Sequence, residues 1–357
     1  MTIVGYSKKQ QASFDELPLN KVDILIVACL SYFGFKEVAD LMPFKIGDLK
    51  DNAYFQSKDA YYDAYIPKTA RTMMRYLMES GRFQDVEVLE YQKVADDNIS
   101  FAALAVRINK RIIVAYRGTD PSFISWKENF YLSYKNAINS YALAMDFINN
   151  IIDKYDERII ICGHSKGGHI STYVLKEIKN IDRLDGVYDF DGPGFKENNI
   201  FKGKNNRLKI YHKIIPHSSL VGALFSKGDN IEIIHCNNIG LYQHNPFTWV
   251  IHNNDFRYAK KMFIPSRYVD KAINEWFESV NDEEKERFTT ILFNALDESN
   301  AKDLTDLIKQ ILLLKEIGPI IKAYRKLNKK DKEMFASVGK KLLQSMFKHR
   351  SLKEVSD

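Results

Sequence analysis

Cysteine is scarce in this chain of 357 residues. The three cysteines, Cys29, Cys162 and Cys236, are too few and too far apart for a disulfide framework or a cysteine-based zinc site. Cys29 and Cys162 lie within apolar runs, so we expect buried free thiols and a reducing compartment. The composition therefore predicts no structural metal, and no motif calls for a cofactor.

Long hydrophobic runs and a leader pattern are also missing. Residues 24–35 are apolar, but that stretch is shorter than the roughly 20 residues that cross a bilayer. Residues 1–17 are polar and lack the basic-then-apolar order of a signal peptide. With only 9 prolines and 17 glycines, large-scale disorder is not expected either. These features predict a globular, cytoplasmic protein.

Positive charge is concentrated at one end of the chain. Residues 322–357 contain eleven Lys or Arg and four Asp or Glu, a net charge of +7, whereas the whole chain carries +6. We interpret this segment as a solvated helix face and expect no nucleic-acid partner, because no nucleic-acid motif accompanies the charges. Contact of the basic C-terminal helices with an anionic membrane surface is the alternative.

The order of predicted elements indicates an α/β protein. Residues 20–90 have helical spacing, and strand-like runs then alternate with helices from residue 99 to residue 236. This alternation predicts a mostly parallel central sheet flanked by helices. After about residue 263 only helical patterns occur. We predict an α/β domain over residues 1–265, including the N-terminal helices, and a helical extension with a basic tail over residues 266–357.

The strongest local motif is Gly-x-Ser-x-Gly at residues 163–167, between an apolar strand and a predicted helix. In this setting the serine occupies a tight, strained turn that presents its hydroxyl at the carboxyl end of the sheet. Ser165 is therefore the predicted nucleophile. The backbone N–H of the next residue, Lys166, is a predicted donor to the oxyanion of the transition state.

A second motif, Arg117-Gly118-Thr119-Asp120, follows a buried strand upstream of the serine. The ordered pair of motifs resembles the fungal-type lipases grouped as class three, and that resemblance implies that Thr119 supplies another oxyanion donor. The chain also looks like a member of the bacterial, lipase-like hydrolase family that includes the Mbeg-type proteins. The stretches that carry this likeness are LNKVD (19–23), LSY (30–32), RGTD (117–120), WKE (126–128), GHSKGG (163–168), FDGPGF (190–195), SSLVG (218–222) and QHNPFTW (243–249).

This resemblance covers residues 19 to about 250 and implies an α/β-hydrolase fold for the domain over residues 1–265. It also implies a lipase or esterase type of chemistry without a known substrate. One departure stands out, since His-Asp is expected where the chain has His244-Asn245. His244 is the predicted catalytic base, because the base follows the serine late in this fold and His244 lies in a polar turn after the last predicted strand.

The triad acid is harder to assign. The strand before His217 ends without a carboxylate, so Asp191, directly after the preceding strand, is the best candidate. Asp191 also fits a plain turn in Asp-Gly-Pro-Gly, and both interpretations stay open. Asp189, on the strand itself, favours a structural role, and Asp120 and Asp229 are less suitable alternatives.

The sequence therefore predicts a serine hydrolase that acts on a carboxylic ester, with a lipid or another acyl ester as its small-molecule substrate. A thioesterase, peptidase or acyltransferase on the same site is an alternative, because the fold supports all of them. Another is a non-catalytic relative that binds lipid or a partner protein. The aromatic residues between positions 123 and 131 fit either a lid with an acyl groove or ordinary helix packing.

Overall fold

A computed structural model describes residues 1–61, 63–64, 66–197, 200–226, 230–262, 264–297, 301–303, 306 and 324–350. The strand-like runs of the sequence form an eight-stranded sheet whose spatial order equals the chain order. Its strands are β1 (Phe44–Lys45), β2 (Glu87–Ala95), β3 (Ser100–Ile108), β4 (Arg111–Tyr116), β5 (Arg158–His164), β6 (Leu184–Phe190), β7 (Tyr211–Pro216) and β8 (Ile231–Ile234).

Strands β1 to β4 pair antiparallel, and β4 to β8 pair parallel. The carboxyl ends of five neighbouring strands therefore meet at one edge, which is where open α/β sheets bind ligands. A separate hairpin pairs β9 (Ile251–His252) with β10 (Asp255–Phe256). The predicted α/β-hydrolase fold, a mostly parallel sheet flanked by helices, is confirmed.

The helices of the described residues follow the apolar periodicity of the chain. They are α1 (Ile3–Lys9), α2 (Lys21–Leu30), α3 (Ala53–Gln56), α4 (Pro67–Met78), α5 (Phe123–Tyr131), α6 (Asn139–Lys154), α7 (Lys166–Glu177), α8 (Asn205–Leu208), α9 (Ile264–Ser279), α10 (Asp282–Asp297) and α11 (Lys329–Arg350). Short 3₁₀ helices occupy Phe35–Leu41, Ile46–Leu49, Asp59–Tyr61, Ile181–Arg183, Gly240–His244 and Pro246–Thr248.

Helices cover both faces of the sheet, as the alternating side chains of β4 show. Ala115 of β4 belongs to the apolar cluster that contains α2. Its neighbour Tyr116 points to the opposite face, where its hydroxyl donates to the Ala144 carbonyl of α6 at 2.8 Å. Because both faces are covered, the central strands are apolar almost throughout, which explains the uninterrupted run Ile159–Cys162.

Strand β2 is one of the elements that the sequence pattern missed. It lies partly within residues 20–90, for which helical spacing was predicted. Most of its side chains are half-buried and several are polar, so neither a continuous apolar run nor a clean alternation marks it. The strand is stabilised instead by its eight paired positions against β3, which is apolar except for Ser100 and Arg107.

Two compact units divide the chain, and the sheet lies in the first. The second comprises residues 97–99, 121–138 and 264–357, with α5, α9, α10 and α11. Within it, Phe130 of α5 contacts Phe288 and Phe293 of α10 at ring-centroid distances of 6.5 and 5.6 Å. The aromatic residues of α5 thus include helix-packing contacts, one of the two interpretations that the sequence left open.

Helix α10 begins with a capping box: the Asn281 side chain accepts from Glu284 N at 2.8 Å, and the Glu284 carboxylate accepts from Asn281 N at 3.1 Å. The division into domains at residue 265 stays a prediction, and it assigned residues 121–138 to the first domain. Residues 304–305 and 307–314, part of the helical pattern predicted after residue 263, lie outside the described residues. Of the helices that the structure describes, none has the length and apolar character needed to cross a membrane.

A buried ion pair ties the N-terminal segment to the sheet domain. Asp23 of α2 accepts from the guanidinium of Arg82 at 2.6 and 2.9 Å and from the Tyr6 hydroxyl at 2.9 Å. Both side chains of the pair are fully buried. Arg82 also donates to the carbonyls of Ala12 and Leu17, both at 2.9 Å, so one guanidinium holds the irregular chain before α2 in place.

Replacing Arg82 by Met should lower the free energy of unfolding by roughly 3–5 kcal/mol, because it leaves the Asp23 carboxylate buried without its cation. Urea unfolding followed by circular dichroism measures this change. Lys45→Met is the matched control, since the Lys45–Asp85 pair at 2.8 Å is solvent-exposed and contributes little. Equal losses in both variants would contradict the role assigned to the buried pair.

Candidate active site

Ser165 lies on a sharp turn between β5 and α7. Its backbone angles are φ 60° and ψ −130°, which a residue with a side chain adopts only when its surroundings enforce it. One enforcing contact comes from the neighbouring strand, since Ser165 N donates to the Phe190 carbonyl at 2.9 Å, and the other lies within the turn, where the Ser165 carbonyl accepts from Gly168 N at 2.9 Å. The turn therefore has the conformation that the Gly-x-Ser-x-Gly motif predicts.

Asp191 occupies the equivalent position after the neighbouring strand β6. Its φ is 56°, in the left-handed region that aspartate tolerates better than most residues. Its side chain is fully buried and accepts from the Ser219 hydroxyl and, at 3.1 Å, from Gly222 N. These bonds occupy Oδ1 and leave Oδ2 directed at the imidazole of His244.

His244 is the last residue of the 3₁₀ helix Gly240–His244, which follows β8. The position of this loop depends on Trp249, a fully buried side chain whose indole N–H donates to the Gln243 carbonyl at 2.8 Å. Gln243 is itself buried, and its side-chain oxygen accepts from Ser218 N at 2.8 Å. Residues on both sides of His244 are thus fixed by contacts with the folded domain.

The structure brings Ser165, His244 and Asp191 into one chain of hydrogen bonds. His244 Nδ1 lies 2.7 Å from Asp191 Oδ2, and His244 Nε2 lies 2.8 Å from Ser165 Oγ. Because an ionised carboxylate only accepts, Nδ1 carries the proton in the neutral ring. Nε2 then offers its lone pair to the serine hydroxyl, which is the arrangement that proton removal from Ser165 requires.

A second histidine fixes the backbone of the first. His164 Nε2 lies 2.7 Å from the His244 carbonyl, so Nε2 must be the protonated nitrogen and donate to it. Its Nδ1 faces the Tyr32 hydroxyl at 3.3 Å. Burial, followed by the nearby His244, holds the pKa of His164 well below its usual value, so this ring is neutral at physiological pH. Sequence reasoning did not identify His164 as part of the site.

The Arg-Gly-Thr loop after β4 approaches the serine turn closely. A Cβ at Gly118 would lie 2.4 Å from the His164 carbonyl oxygen and 3.1 Å from the Ser165 Cβ. A Cβ at Gly167 would lie 2.0 Å from the Tyr116 carbonyl oxygen. Both positions therefore require glycine, because the two backbones touch there. Thr119 follows Gly118 directly, and Lys166 precedes Gly167 as the first residue of α7.

Of the other acids that the sequence offered for the triad, the two that the structure describes are engaged elsewhere. Asp189 pairs with the buried Lys213 at 2.7 Å and accepts from Gly192 N at 2.8 Å. Asp120 pairs with Arg117 at 2.6 Å. Asp229 lies outside the described residues. No group of three or more His, Cys, Asp or Glu side chains within the described part of the chain is arranged to hold a metal ion.

Ser219 is a further site residue that the sequence did not single out for a role. Its hydroxyl donates to Asp191 and also accepts from Gly222 N at 2.8 Å, so it orients the carboxylate. The residue lies in the SSLVG stretch after β7, but nothing in that stretch shows which serine faces Asp191. Only the parallel pairing of β6 with β7 brings the two loops together.

Asn245, the departure from the expected His-Asp, has a local role. Its side-chain oxygen accepts from Phe247 N at 3.1 Å at the start of the 3₁₀ helix Pro246–Thr248. Aspartate offers the same acceptor oxygen. The departure therefore leaves the hydrogen bonds between His244, Asp191 and Ser165 untouched.

Asn245→Asp should keep the free energy of unfolding nearly unchanged, whereas Asn245→Ala should lower it by about 1 kcal/mol, since alanine cannot cap the turn. Urea unfolding of both variants measures the difference. A loss in the aspartate variant as large as in the alanine variant would show that the amide nitrogen matters and would contradict the capping role.

Comparison with known proteins gives a family and remote structural similarity. Residues 77–294 match the family model described as Mbeg1-like. The chain is also similar to solved structures of lipases. The Lip2 lipase of Yarrowia lipolytica is 16% identical with a TM-score of 0.33, over 45% of this chain and 69% of that one.

Two further solved structures are also similar to this chain. The lipase of Rhizopus microsporus var. chinensis is 15% identical with a TM-score of 0.38, over 64% of this chain and 85% of that one. A structure described as a fungal lipase is 12% identical with a TM-score of 0.44, over 68% and 85%. No match was found among curated protein sequences.

Proposed function

The chain belongs to the Mbeg1-like family, and from that premise we propose that it is a serine hydrolase that cleaves carboxylic esters through an acyl-enzyme intermediate. One observation carries the proposal: Ser165 Oγ, the His244 ring and the Asp191 carboxylate are joined by hydrogen bonds of 2.8 and 2.7 Å. Serine is a weak nucleophile unless an adjacent base removes its proton, and this arrangement supplies such a base.

In the first half of the reaction, Ser165 Oγ attacks the ester carbonyl carbon while His244 Nε2 takes the hydroxyl proton. The carbonyl oxygen becomes an oxyanion. The imidazolium then gives the proton to the alcohol oxygen as the carbon–oxygen bond breaks, so the alcohol leaves neutral. In the second half, His244 deprotonates a water that attacks the acyl-serine, and the proton returns to Ser165 as the acid is released.

Asp191 holds His244 in the required tautomer and stabilises the imidazolium. Its burial makes this effect strong, because a carboxylate without water around it interacts with a neighbouring positive charge through a low local dielectric. The Ser219 hydroxyl and Gly222 N bind the other carboxylate oxygen and so fix its orientation. Asp191 can therefore act without a change in its own protonation state.

The oxyanion is assigned to Lys166 N–H and Thr119. Lys166 begins α7, so its backbone N–H lies at the positive end of the helix dipole. Thr119 follows Gly118, whose backbone touches the serine turn. Donors fixed in place before the reaction stabilise the oxyanion without a cost for reorganisation.

An ester with an apolar part is the substrate class we propose. The loop that carries His244 exposes two large apolar side chains, Ile239 at 78% and Tyr242 at 76%. Neither packs into the domain, so both are accessible to an acyl chain or a lipid beside the base. A panel of p-nitrophenyl esters of rising chain length tests this class, and a preference for acetate over octanoate would contradict it.

Ser165→Ala should remove esterase activity, by about 10⁴-fold or more, because the nucleophile is gone while the fold remains. Labelling with a fluorophosphonate, which reacts with activated serines, should be lost as well. Ser171→Ala is the matched control. Ser171 lies in the same helix, one turn after Gly167, and its hydroxyl donates to the Gly167 carbonyl. A Ser165→Ala enzyme that keeps wild-type turnover would refute the proposal.

Asp191→Asn should lower kcat by up to about 10⁴-fold, because an amide cannot stabilise the imidazolium and favours the wrong tautomer of His244. Asp189→Asn should instead lower the free energy of unfolding, since it breaks the buried pair with Lys213. Steady-state kinetics and urea unfolding of both variants separate the two effects. Retained turnover in Asp191→Asn would assign this residue to the turn alone.

A further inference from the structure

The two halves of the proposed oxyanion site meet at a third residue, Ser100 of β3. The Lys166 ammonium donates to the Ser100 backbone carbonyl at 3.1 Å. The Ser100 hydroxyl donates to Asp120 and accepts from the Arg117 guanidinium, the latter at 2.8 Å. Ser100 thus contacts the residue that follows the nucleophile and both ends of the Arg117–Asp120 loop, which contains Thr119.

These contacts are buried, and they are charged. Arg117 and Lys166 are almost completely buried, as is Ser100. Arg117 also pairs with Asp63 at 2.5 Å, and Lys93 binds the same carboxylate oxygen at 2.5 Å. Burying an ion is unfavourable unless its partners replace the lost hydration, so charged groups kept in this place need a reason beyond packing.

We propose that Ser100 and the Lys166 side chain are positioning residues. They set the separation of the two oxyanion donors, Lys166 N–H and Thr119. This assignment rests on the proposed esterase function. Lys166 carries one donor on its backbone, and its own ammonium anchors that backbone to β3. Arg117 and Asp120 lie on either side of Thr119 in the sequence. The Ser100 hydroxyl, which also belongs to β3, forms hydrogen bonds with both of them.

A shift of the donors by a fraction of an ångström would weaken oxyanion binding more than ester binding, because the oxyanion exists only in the transition state. Loss of a positioning contact should therefore appear in kcat and not in KM. A residue that only stabilises the fold would instead lower the free energy of unfolding and leave the kcat of the folded enzyme unchanged. These two signatures make the proposal testable.

The experiment uses the full chain and p-nitrophenyl butyrate as the probe. Ser100→Ala and Lys166→Met should each lower kcat by roughly 10- to 100-fold, with KM within about twofold of wild type. Ser100→Thr keeps the hydroxyl and should recover most of the lost kcat. Ser7→Ala is the control, because it removes an equally buried hydroxyl whose bond to the Ile3 carbonyl, at 2.8 Å, lies in α1; its kcat should not change.

A double-mutant cycle identifies the route of the effect. Thr119→Val alone should lower kcat by roughly 10²–10³-fold, as the loss of one oxyanion donor does. If Ser100 acts through Thr119, adding Ser100→Ala to Thr119→Val should cost less than about threefold, because the donor that it positions is already gone. A full, additive loss in the double variant would overturn this route and assign Ser100 an independent role.

The outcomes distinguish the two proposals. A wild-type chain that neither hydrolyses the ester nor reacts with a fluorophosphonate refutes the esterase function, and the positioning role falls with it. An active wild type whose Ser100→Ala and Lys166→Met variants keep their kcat refutes the positioning role alone. Reduced kcat with unchanged KM, recovery in Ser100→Thr and non-additivity with Thr119→Val together support it.

Discussion

The hydrogen bond from Ser165 N to the Phe190 carbonyl, 2.9 Å long, sets the geometry on which the rest of the site depends. It extends the parallel register of β5 and β6 by one residue, so Ser165 and Asp191 leave the sheet side by side. Both then have positive φ, at 60° and 56°, and both side chains turn toward the same place. Because strands β4 to β8 are parallel, the loops after β4, β7 and β8 reach that place too.

The local part of this site could be predicted from the sequence. Gly-x-Ser-x-Gly between an apolar strand and a helix can be recognised from a short run of sequence, and the turn at Ser165 has the predicted form. The position of His244 after the last strand of the sheet follows from chain order in the same way. Strand β2 was missed because its stability comes from pairing with β3, not from its own half-polar pattern.

The contacts that orient the site could not be predicted, because they join loops far apart in sequence. Ser219 meets Asp191 across 28 residues, and His164 meets the His244 carbonyl across 80. A serine or histidine carries no sequence mark of the direction its side chain faces once the chain is folded. Asn245 illustrates the converse, since a departure that seemed to affect the triad is a local cap of the next turn.

Lys166 shows how such long-range contacts change the interpretation of a motif. Next to the nucleophile, its side chain seems free to vary, since only its backbone N–H has an assigned role. The structure instead buries the ammonium and bonds it to β3, 66 residues earlier in the chain. An apolar side chain would occupy that volume without the desolvation cost of a charge. The same buried region holds Arg117, which pairs with both Asp120 and Asp63, so loss of any one of these three groups leaves a buried charge with fewer partners. Such a network tolerates few arrangements, and that rigidity favours a fixed distance between the Thr119 loop and the serine turn.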